Sequence, residues 1–380
     1  MTDTSKKNYI QNNTDVYFSS TKKIAQKHGD IKVVYAIFLR KPSIYACALA
    51  INWLKEMALT YKSPIRIYEN FNEGELVGAG APLFFVEGYF SFLSELETLL
   101  LQKVGPTCIC AWHAYIMSRT LPKVEFISMV ARHCCNPDMV FFLEYGVAVG
   151  STLAQKEGNC GFIGCSTKAS SKLFNAPHAI GTMPHSLVGY AGSTLKAAQL
   201  YYDTFKPIKM TVLVDYFGKE ITDTLEVCNY FKDFAFAGNL SIRLDTHGGR
   251  FLEGLDYDSS HTVVEKYVED IFHGYQDKAE INSLIGPGVS AAALFYLREC
   301  LDKNGFTNVK ITASSGFNLK KCNLMSKVKA PINVIGTGSF IPEKWSDTYA
   351  TADIISYNGK LLVKKGREFL IKKWRSQIIN

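Results

Sequence analysis

The chain has 380 residues, of which 47% are hydrophobic and 20% are charged, a composition typical of a globular protein with a large core. Its formal net charge of +7 is modest, and basic runs such as Lys364-Lys365-Gly366-Arg367 are too short to form a nucleic-acid-binding arm. The longest apolar stretch, residues 44–59, is interrupted by Lys55 and Glu56 and falls short of the ~18 residues that a membrane span needs. We therefore predict neither a nucleic-acid partner nor a membrane partner.

Ten cysteines are present, and the first residues, Met1 to Lys7, are too polar for a secretory leader. Cys108-x-Cys110 and Cys134-Cys135 lack zinc-finger spacing, and no His-x-x-x-His pair accompanies them. These observations predict reduced, mostly buried thiols in a cytoplasmic protein.

The first part of the chain, residues 1–105, predicts a small α/β sandwich domain. Its strand-like and helix-like patterns alternate, with strands at 31–39, 65–68 and 82–88 and helices at 44–59 and 92–101. The tail, residues 345–380, contains Asn358-Gly359, the strongest short signal for a β-hairpin. We expect this hairpin to return to the first domain.

Residues 106–344 show a different rhythm, in which short apolar strands alternate with helix-sized segments. The β-branched interiors of the strands favour a parallel sheet, and the number of repeated units favours a barrel. Pro177 and the loose spacing between Cys165 and Tyr190 predict that the barrel is irregular.

Polar residues follow several of these predicted strands, where the carboxyl-terminal rim of a barrel carries its site. Arg132 follows the strand at 124–131 and Asp215 follows Val214. Arg243 and Asp245 alternate along one strand, so both side chains should face the same way. A buried Arg-Asp pair is often structural, but several polar strand ends together favour a functional site.

The last two predicted strands end in glycine-containing turns, Ser314-Ser315-Gly316 and Gly336-Thr337-Gly338-Ser339. Glycine allows backbone N–H groups to point at a phosphate, and a helix starting after each turn would add a favourable dipole. Phosphate sites built from the final strands of a barrel are common. The chain contains no P-loop, no Gly-x-Gly-x-x-Gly after a strand and no Gly-x-Ser-x-Gly elbow.

The segment Gly181-Thr182-Met183-Pro184-His185 combines a Gly-Thr turn, a rigid proline and a histidine, which predicts an imidazole at the end of a strand. A neutral imidazole nitrogen can attack phosphorus or accept a proton near pH 7. A single histidine beside apolar residues is more often structural. A catalytic role for His185 therefore depends on the polar strand ends elsewhere.

Taken together, these segments resemble nicotinate phosphoribosyltransferase, of the type II phosphoribosyltransferase group. The order and spacing of the motifs carry the resemblance: Thr14-Asp15-Val16-Tyr17, Glu73-Gly74-Glu75, Glu95-Leu96-Glu97-Thr98, Ala131-Arg132-His133, Gly181 to Ser186, Val214-Asp215-Tyr216, Arg243-Leu244-Asp245-Thr246, Ser315-Gly316 and Gly336-Thr337-Gly338-Ser339.

The resemblance implies an irregular α/β barrel with an N-terminal α/β sandwich, in a homodimer whose active sites are shared between subunits. It implies an enzyme of NAD biosynthesis that converts nicotinate and phosphoribosyl pyrophosphate to nicotinate mononucleotide, with coupled hydrolysis of ATP and with Mg²⁺. By the same resemblance ATP would phosphorylate His185, and Asp215 and Asp245 would act in catalysis by holding ribose hydroxyls or Mg²⁺. The substrate-binding residues implied are Tyr17 from the partner subunit, Arg132, Thr182, Arg243, Ser315, Gly316, Gly336, Thr337, Gly338, Lys364 and Lys365.

Two departures leave alternatives open. Many relatives carry a second arginine after the one at Arg132, whereas this chain has His133-Cys134-Cys135, which weakens the predicted grip on a carboxylate. Pro184 replaces an acidic residue of some nicotinamide-using relatives and weakly favours nicotinate. The alternatives are a nicotinamide or quinolinate phosphoribosyltransferase of the same fold and a homologue that binds ligands without catalysis.

Overall fold

The structure is a computed structural model that describes residues 2–268 and 277–379. It divides into two compact units. Unit 1 comprises Met1–Tyr115, Asn136–Leu153 and Ile341–Asn380, and unit 2 comprises Ile116–Cys135 and Ala154–Phe340. Within the described residues, no helix combines the length and the apolar character that crossing a membrane requires.

The secondary structure alternates along most of the chain. The helices are α1 (Asp3–Asn13), α2 (Val16–His28), α3 (Ala48–Tyr61), α4 (Phe90–Thr120), α5 (Pro137–Lys156), α6 (His185–Ala191), α7 (Thr194–Phe205), α8 (Glu220–Tyr230), α9 (Lys232–Phe236), α10 (Tyr257–Glu265), α11 (Lys278–Ile285), α12 (Ala291–Lys303), α13 (Leu319–Lys327) and α14 (Glu368–Ile379). The strands are β1 (Lys32–Leu39), β2 (Ser43–Ile44), β3 (Arg66–Glu69), β4 (Leu76–Val77), β5 (Pro82–Tyr89), β6 (Glu125–Ser128), β7 (Gly161–Cys165), β8 (Met210–Leu213), β9 (Leu240–Leu244), β10 (Lys310–Ala313), β11 (Val334–Thr337), β12 (Ala350–Tyr357) and β13 (Lys360–Leu361).

Unit 1 is built on an antiparallel sheet with the strand order β13-β12-β1-β5-β3. Helix α14 packs on it through Leu370 and Trp374, which join a buried cluster with Phe38 and Phe85. The predicted hairpin is confirmed, because β12 and β13 pair around Asn358 and Gly359, whose φ angles are 50° and 81°. Strand β12 also pairs with β1, so the tail returns to the N-terminal sheet as expected.

Unit 2 is built on a parallel sheet with the strand order β7-β6-β11-β10-β9-β8. Together with the separate antiparallel sheet, it confirms the predicted α/β fold class. Among the described residues no hydrogen-bonded pairing joins β7 to β8, so the sheet is interrupted between them. Because parallel strands end at the same edge, the residues after β8, β9, β10 and β11 meet there.

The structure corrects some predicted boundaries. The helix predicted at 92–101 continues through Pro106 to Thr120, although proline removes a backbone donor from a helix interior. Strand β6 ends at Ser128, and Ala131–His133 forms a short 3-10 helix instead of the predicted strand end. Residues 91–96 and 104–111 of α4 are buried on all sides, and such burial is a tertiary effect that local patterns do not report.

Helix α5 packs closely against α4 within unit 1 through Gly146 and Gly150. A methyl group at Gly146 would collide with the carbonyl oxygen of Thr107, and one at Gly150 with the carbonyl oxygen of Ala111. Only glycine therefore allows this approach of the two backbones.

We expect Gly150→Ala to lower the free energy of unfolding by about 1–3 kcal/mol, because the helices must separate to admit the methyl group. Helix propensity alone would raise it by about 1 kcal/mol. Urea unfolding followed by circular dichroism measures the difference. Gly78→Ala is the control, since a methyl group there meets no atom within 4 Å. A Gly150→Ala protein as stable as wild type would contradict the close packing.

Glu97 on α4 is a second feature of unit 1 that affects stability. Burial raises the pKa of its carboxyl to about 7; a hydrogen bond with Tyr35 opposes this rise, and the charges of Asp353 and Asp15 add to it. Between the ordinary glutamate pKa and about 7, the folded chain therefore holds a proton that the unfolded chain releases. By linkage, this group makes the protein less stable as pH rises through that window.

We expect Glu97→Gln to raise the unfolding midpoint at pH 8, by an amount corresponding to about 1 kcal/mol, because it removes the cost of ionising a shielded carboxyl. At pH 5, where the folded wild-type protein keeps the proton, the gain should be much smaller. Thermal unfolding at the two pH values measures it. An equal shift at both would show that the effect is not ionisation.

Candidate active site at the strand ends of unit 2

Arg243 lies at the centre of a buried polar cluster at the ends of β9 and β10. As the alternation along β9 predicts, it faces the same way as Asp245, and its Nη2 lies 2.8 Å from Asp245 Oδ2. Its Nε donates to Ser314 Oγ at 2.9 Å, and Ser314 Oγ also lies 2.9 Å from Asp245 Oδ1. Arg243 is only 8% exposed, so its charge must be compensated inside the protein. Asp245 neutralises the charge, and Ser314 accepts one of the hydrogen bonds.

Thr182 connects this cluster to the segment that carries His185. Arg243 Nη1 donates to Thr182 Oγ1 at 2.6 Å, which holds the loop before α6 against β9. His185 itself does not lie at a strand end as predicted. It is the first residue of α6, after Pro184 at the extended N-cap position. Proline fixes its own φ and has no N–H to satisfy, so it suits the start of a helix.

Asp215, two residues beyond β8, holds the His185 ring. His185 Nε2 and Asp215 Oδ2 are 2.9 Å apart, and the imidazole side chain keeps 45% of its surface exposed. When Nε2 carries the shared proton, Nδ1 has the free lone pair. Burial raises the pKa of the Asp215 carboxyl above its ordinary value, the hydrogen bond to His185 opposes this, and nearby Asp245 adds to it.

The second oxygen of Asp215 is of particular interest. Asp215 Oδ1 is buried and has no hydrogen-bond partner among the described residues. A buried acceptor without a partner costs about 1–3 kcal/mol, so such an atom in a native site needs an explanation. A ligand hydroxyl or a cation would satisfy it.

Glu220 and Arg250 hold the backbone of Asp215 in place. Arg250 Nη2 donates to the backbone oxygen of Asp215 at 2.8 Å and is paired with the fully buried carboxylate of Glu220. Thr246 Oγ1 donates to the same Glu220 carboxylate at 3.1 Å. These contacts join the loops after β8 and β9, which fixes where Asp215 and Asp245 stand relative to each other.

The turn after β10 leaves its backbone open. Ser315 and Gly316 have φ angles of 77° and 68°, and a Cβ at Gly316 would meet no atom within 4 Å. Helix α13 starts directly afterwards, and its N-cap Asn318 accepts from the backbone N–H of Lys321 at 2.9 Å. This turn therefore has the left-handed backbone and the following helix that were predicted, and its phosphate-binding role stays a prediction.

The turn after β11 differs from the prediction in two respects. No helix starts directly after it, because the next helical segment is the 3-10 helix Trp345–Thr348. The spaces beside its glycines are filled: a Cβ at Gly336 would lie 2.5 Å from the Met129 side chain, and one at Gly338 would collide with His133. Thr337 Oγ1 donates to Phe317 O at 2.8 Å, which ties this turn to the one after β10.

Arg132 and His133 stand on the 3-10 helix after β6 and are both exposed. His133 is the residue that lies against Gly338, whereas among the described residues no hydrogen bond or ion pair joins Arg132 to the cluster around Arg243. Burial, followed by the charge of Arg132, lowers the pKa of the His133 imidazole. His133 is therefore mainly neutral near pH 7.

Three predicted binding residues belong to unit 1. Tyr17 is 59% exposed, and its hydroxyl donates to Asp15 at 3.0 Å. Lys364 lines a cavity of about 260 Å³ within unit 1, together with Tyr35 and Glu97. Lys365 is exposed. The roles predicted for Tyr17, Lys364 and Lys365 stay predictions.

Several residues of the site were missed from the sequence. Ser314 was part of a recognised turn and could have been chosen as the residue facing Asp245 from the neighbouring strand. Lys321, Glu220 and Arg250 carry no local signal, because their partners lie on other elements. None of the ten cysteines forms a disulfide, and six are buried: Cys47, Cys108, Cys110, Cys165, Cys228 and Cys322.

No protein-family model and no curated protein matches the chain. Solved structures do. A nicotinate-nucleotide pyrophosphorylase from Pyrococcus furiosus is 22% identical, with a TM-score of 0.68 over 94% of this chain and 78% of that one.

Two other structures are similar over most of both chains. Human nicotinic acid phosphoribosyltransferase is 15% identical, with a TM-score of 0.54 over 92% of this chain and 75% of that one. NadC from Streptococcus pyogenes is 14% identical, with a TM-score of 0.53 over 95% of this chain and 96% of that one. These similarities confirm the resemblance at the level of architecture: the chain has the fold of the type II phosphoribosyltransferases.

Proposed function

We propose that the chain is a pyridine phosphoribosyltransferase of NAD biosynthesis, and that its pyridine substrate is nicotinate. The observation that carries the proposal is the convergence of His185, Asp215, Arg243 and Asp245 beside the open turn at Gly316. The names of two of the similar structures, which refer to nicotinic acid or nicotinate nucleotide, support this choice of pyridine.

In the proposed transfer, the ring nitrogen of nicotinate attacks C1′ of phosphoribosyl pyrophosphate. The C1′–O bond breaks, and pyrophosphate leaves with the electron pair. Asp215 Oδ1, which has no partner among the described residues, would accept a ribose hydroxyl and hold the sugar in position for in-line attack. Arg243 still has N–H donors beyond its contacts with Thr182, Ser314 and Asp245, and these would bind the nicotinate carboxylate.

ATP coupling is proposed to operate through His185. The Nδ1 lone pair attacks the γ-phosphorus of ATP, the bond to the bridging oxygen breaks, and ADP leaves. The proton stays on Nε2, where Asp215 accepts its hydrogen bond. The Asp215 carboxylate thereby stabilises the positive charge that develops on the ring. Water later attacks the phosphohistidine and releases inorganic phosphate. The exposure of the His185 side chain, 45%, allows a nucleotide to reach it.

The carboxylates present fit Mg²⁺ bound together with a substrate phosphate, because Mg²⁺ is usually held by one or two carboxylates plus phosphate oxygens. If a cation in place of a ribose hydroxyl satisfies Asp215 Oδ1, Asp215 would be its main protein ligand, and Asp245 would be a second. The cation would neutralise charge on the departing pyrophosphate.

The proposal includes a homodimer in the cytoplasm, where the ten thiols would stay reduced. Tyr17 of a second copy would stack on the pyridine ring, and Lys364 and Lys365 would contribute positive charge for the pyrophosphate. The exposure of Tyr17 leaves its ring available for such a contact. Gly336, Thr337 and Gly338 would shape the wall of the phosphate site, and Arg132 would add charge at its rim.

The direct test supplies nicotinate, phosphoribosyl pyrophosphate and Mg-ATP and measures nicotinate mononucleotide. We expect product from wild type, and from His185→Ala only slow transfer that ATP no longer stimulates. The variant should also lose the acid-labile label derived from γ-labelled ATP. The exposed His178 provides a control, His178→Ala, that should keep both. Folded, dimeric wild-type protein without product would reject the proposal.

Arg243 offers a test of which pyridine the protein uses as substrate. We expect Arg243→Lys to lower kcat/KM with nicotinate by about 10²-fold, because lysine replaces a forked donor with a single point charge. With nicotinamide as a slow alternative substrate, the loss should be smaller, since no carboxylate is present.

Competition assays among nicotinate, nicotinamide and quinolinate measure this difference. Arg119→Lys is the control, because that side chain is 55% exposed and pairs with Glu157 away from the cluster around Arg243. Equal losses for nicotinate and nicotinamide would show that Arg243 does not read the carboxylate.

A further inference from the structure

Lys321, on the first turns of α13, points back at the open turn after β10. Its Nζ donates to the backbone oxygen of Ser315 at 2.9 Å and lies 4.3 Å from the centre of the Phe317 ring. We propose that Lys321 is a substrate-binding residue whose ammonium group binds the 5′-phosphate of the phosphoribosyl substrate at the Ser315–Gly316 turn. This inference rests on the proposed function and assigns a residue to one part of its substrate.

The ammonium group has capacity for an anion. Among the described residues, its only hydrogen bond is to Ser315, which uses one of three N–H donors. The Phe317 ring beneath it is fully buried and holds the side chain from below. The two remaining donors lie at the turn where the left-handed Ser315 and Gly316 leave backbone open.

The charges of the site favour such a cation. Among the described residues of this cluster, Arg243 is a buried cation, and Asp245 neutralises it. Asp215 adds a carboxylate that His185, when neutral, does not compensate. A dianionic phosphate brought to this edge of the sheet would therefore meet little net positive charge without Lys321.

The environment of Lys321, which is partly removed from water, is consistent with a site that binds an anion. Removal from water lowers the pKa of Lys321 to about 8, and the charge of Asp245 only partly opposes this. Charged groups facing it are Asp245 and, through Asp245, Arg243; Cys322 and Lys320 flank it on α13. A bound phosphate would favour the charged form of the lysine.

Lys320 provides a matched control on the same helix. It is the adjacent residue, is exposed, and makes no hydrogen bond or ion pair among the described residues. Removal of either lysine changes the net charge by one unit. A difference between the two variants therefore reports position and not overall charge.

The experiment titrates ribose 5-phosphate and, separately, inorganic pyrophosphate into the full-length protein at pH 7 and measures Kd by calorimetry. We expect Lys321→Met to weaken ribose 5-phosphate binding by about tenfold or more, as for a lost hydrogen bond to a charged group. Pyrophosphate binding should change by less. Lys320→Met should stay within about twofold of wild type for both, and Lys321→Arg should recover part of the loss. Thermal unfolding of each variant checks that it is folded.

The outcomes separate the inference from the proposed function. Ribose 5-phosphate binding that is equal in folded Lys321→Met and Lys320→Met overturns the inference and leaves the proposed function standing. A selective loss of pyrophosphate binding also overturns it, because the ammonium would then serve the leaving group. A wild-type protein that binds neither ligand overturns both. In an activity assay, a rise in KM for phosphoribosyl pyrophosphate larger than the fall in kcat supports the inference, whereas a fall in kcat alone contradicts it.

Discussion

The burial of one guanidinium determines how this site is built. Arg243 is almost inaccessible to water, and an unpaired buried charge would cost several kcal/mol. It is tolerated because β9 and β10 pair in a register that places Arg243 opposite Thr312, so that Ser314 follows beside Asp245. The same guanidinium then fixes Thr182, and with it the start of α6. A shift of one residue between these strands would turn Arg243 to the other side of the sheet and break its contacts with Asp245, Ser314 and Thr182.

Much of this arrangement could be predicted from local pattern. The alternation in Arg243-Leu244-Asp245 placed both charges on one side, and Asn358-Gly359 located the hairpin, because both features depend on residues that are neighbours in the chain. The position of His185 could not be predicted in the same way. A seven-residue helix after a proline has too few residues to show a 3.6-residue period, so the segment resembled a strand end.

The remaining gaps concern long-range partners. Lys320 and Lys321 are identical in type and adjacent in sequence, and only the packing of α13 decides that one reaches Ser315 while the other faces solvent. Glu220, at the start of α8, and Arg250, in the loop after β9, are likewise joined only by tertiary folding. The glycines at the end of β11 show a different limit. In sequence they match a phosphate-binding turn. Their neighbours Met129 and His133, however, leave no room for a side chain at Gly336 and Gly338, so close packing also accounts for glycine there.

The cluster also has a consequence for the folding of the chain. Its members come from four separate stretches between Thr182 and Lys321, and parallel pairing of β8, β9 and β10 is what brings them together. Contacts between residues so distant in sequence form late, because closing long loops costs entropy before any contact repays it. A nascent or partly unfolded chain therefore lacks the cluster, and a ligand of the proposed site would stabilise molecules whose sheet is complete. Abundance of such a ligand in the cell would then influence how many copies survive quality control as well as how fast each one works.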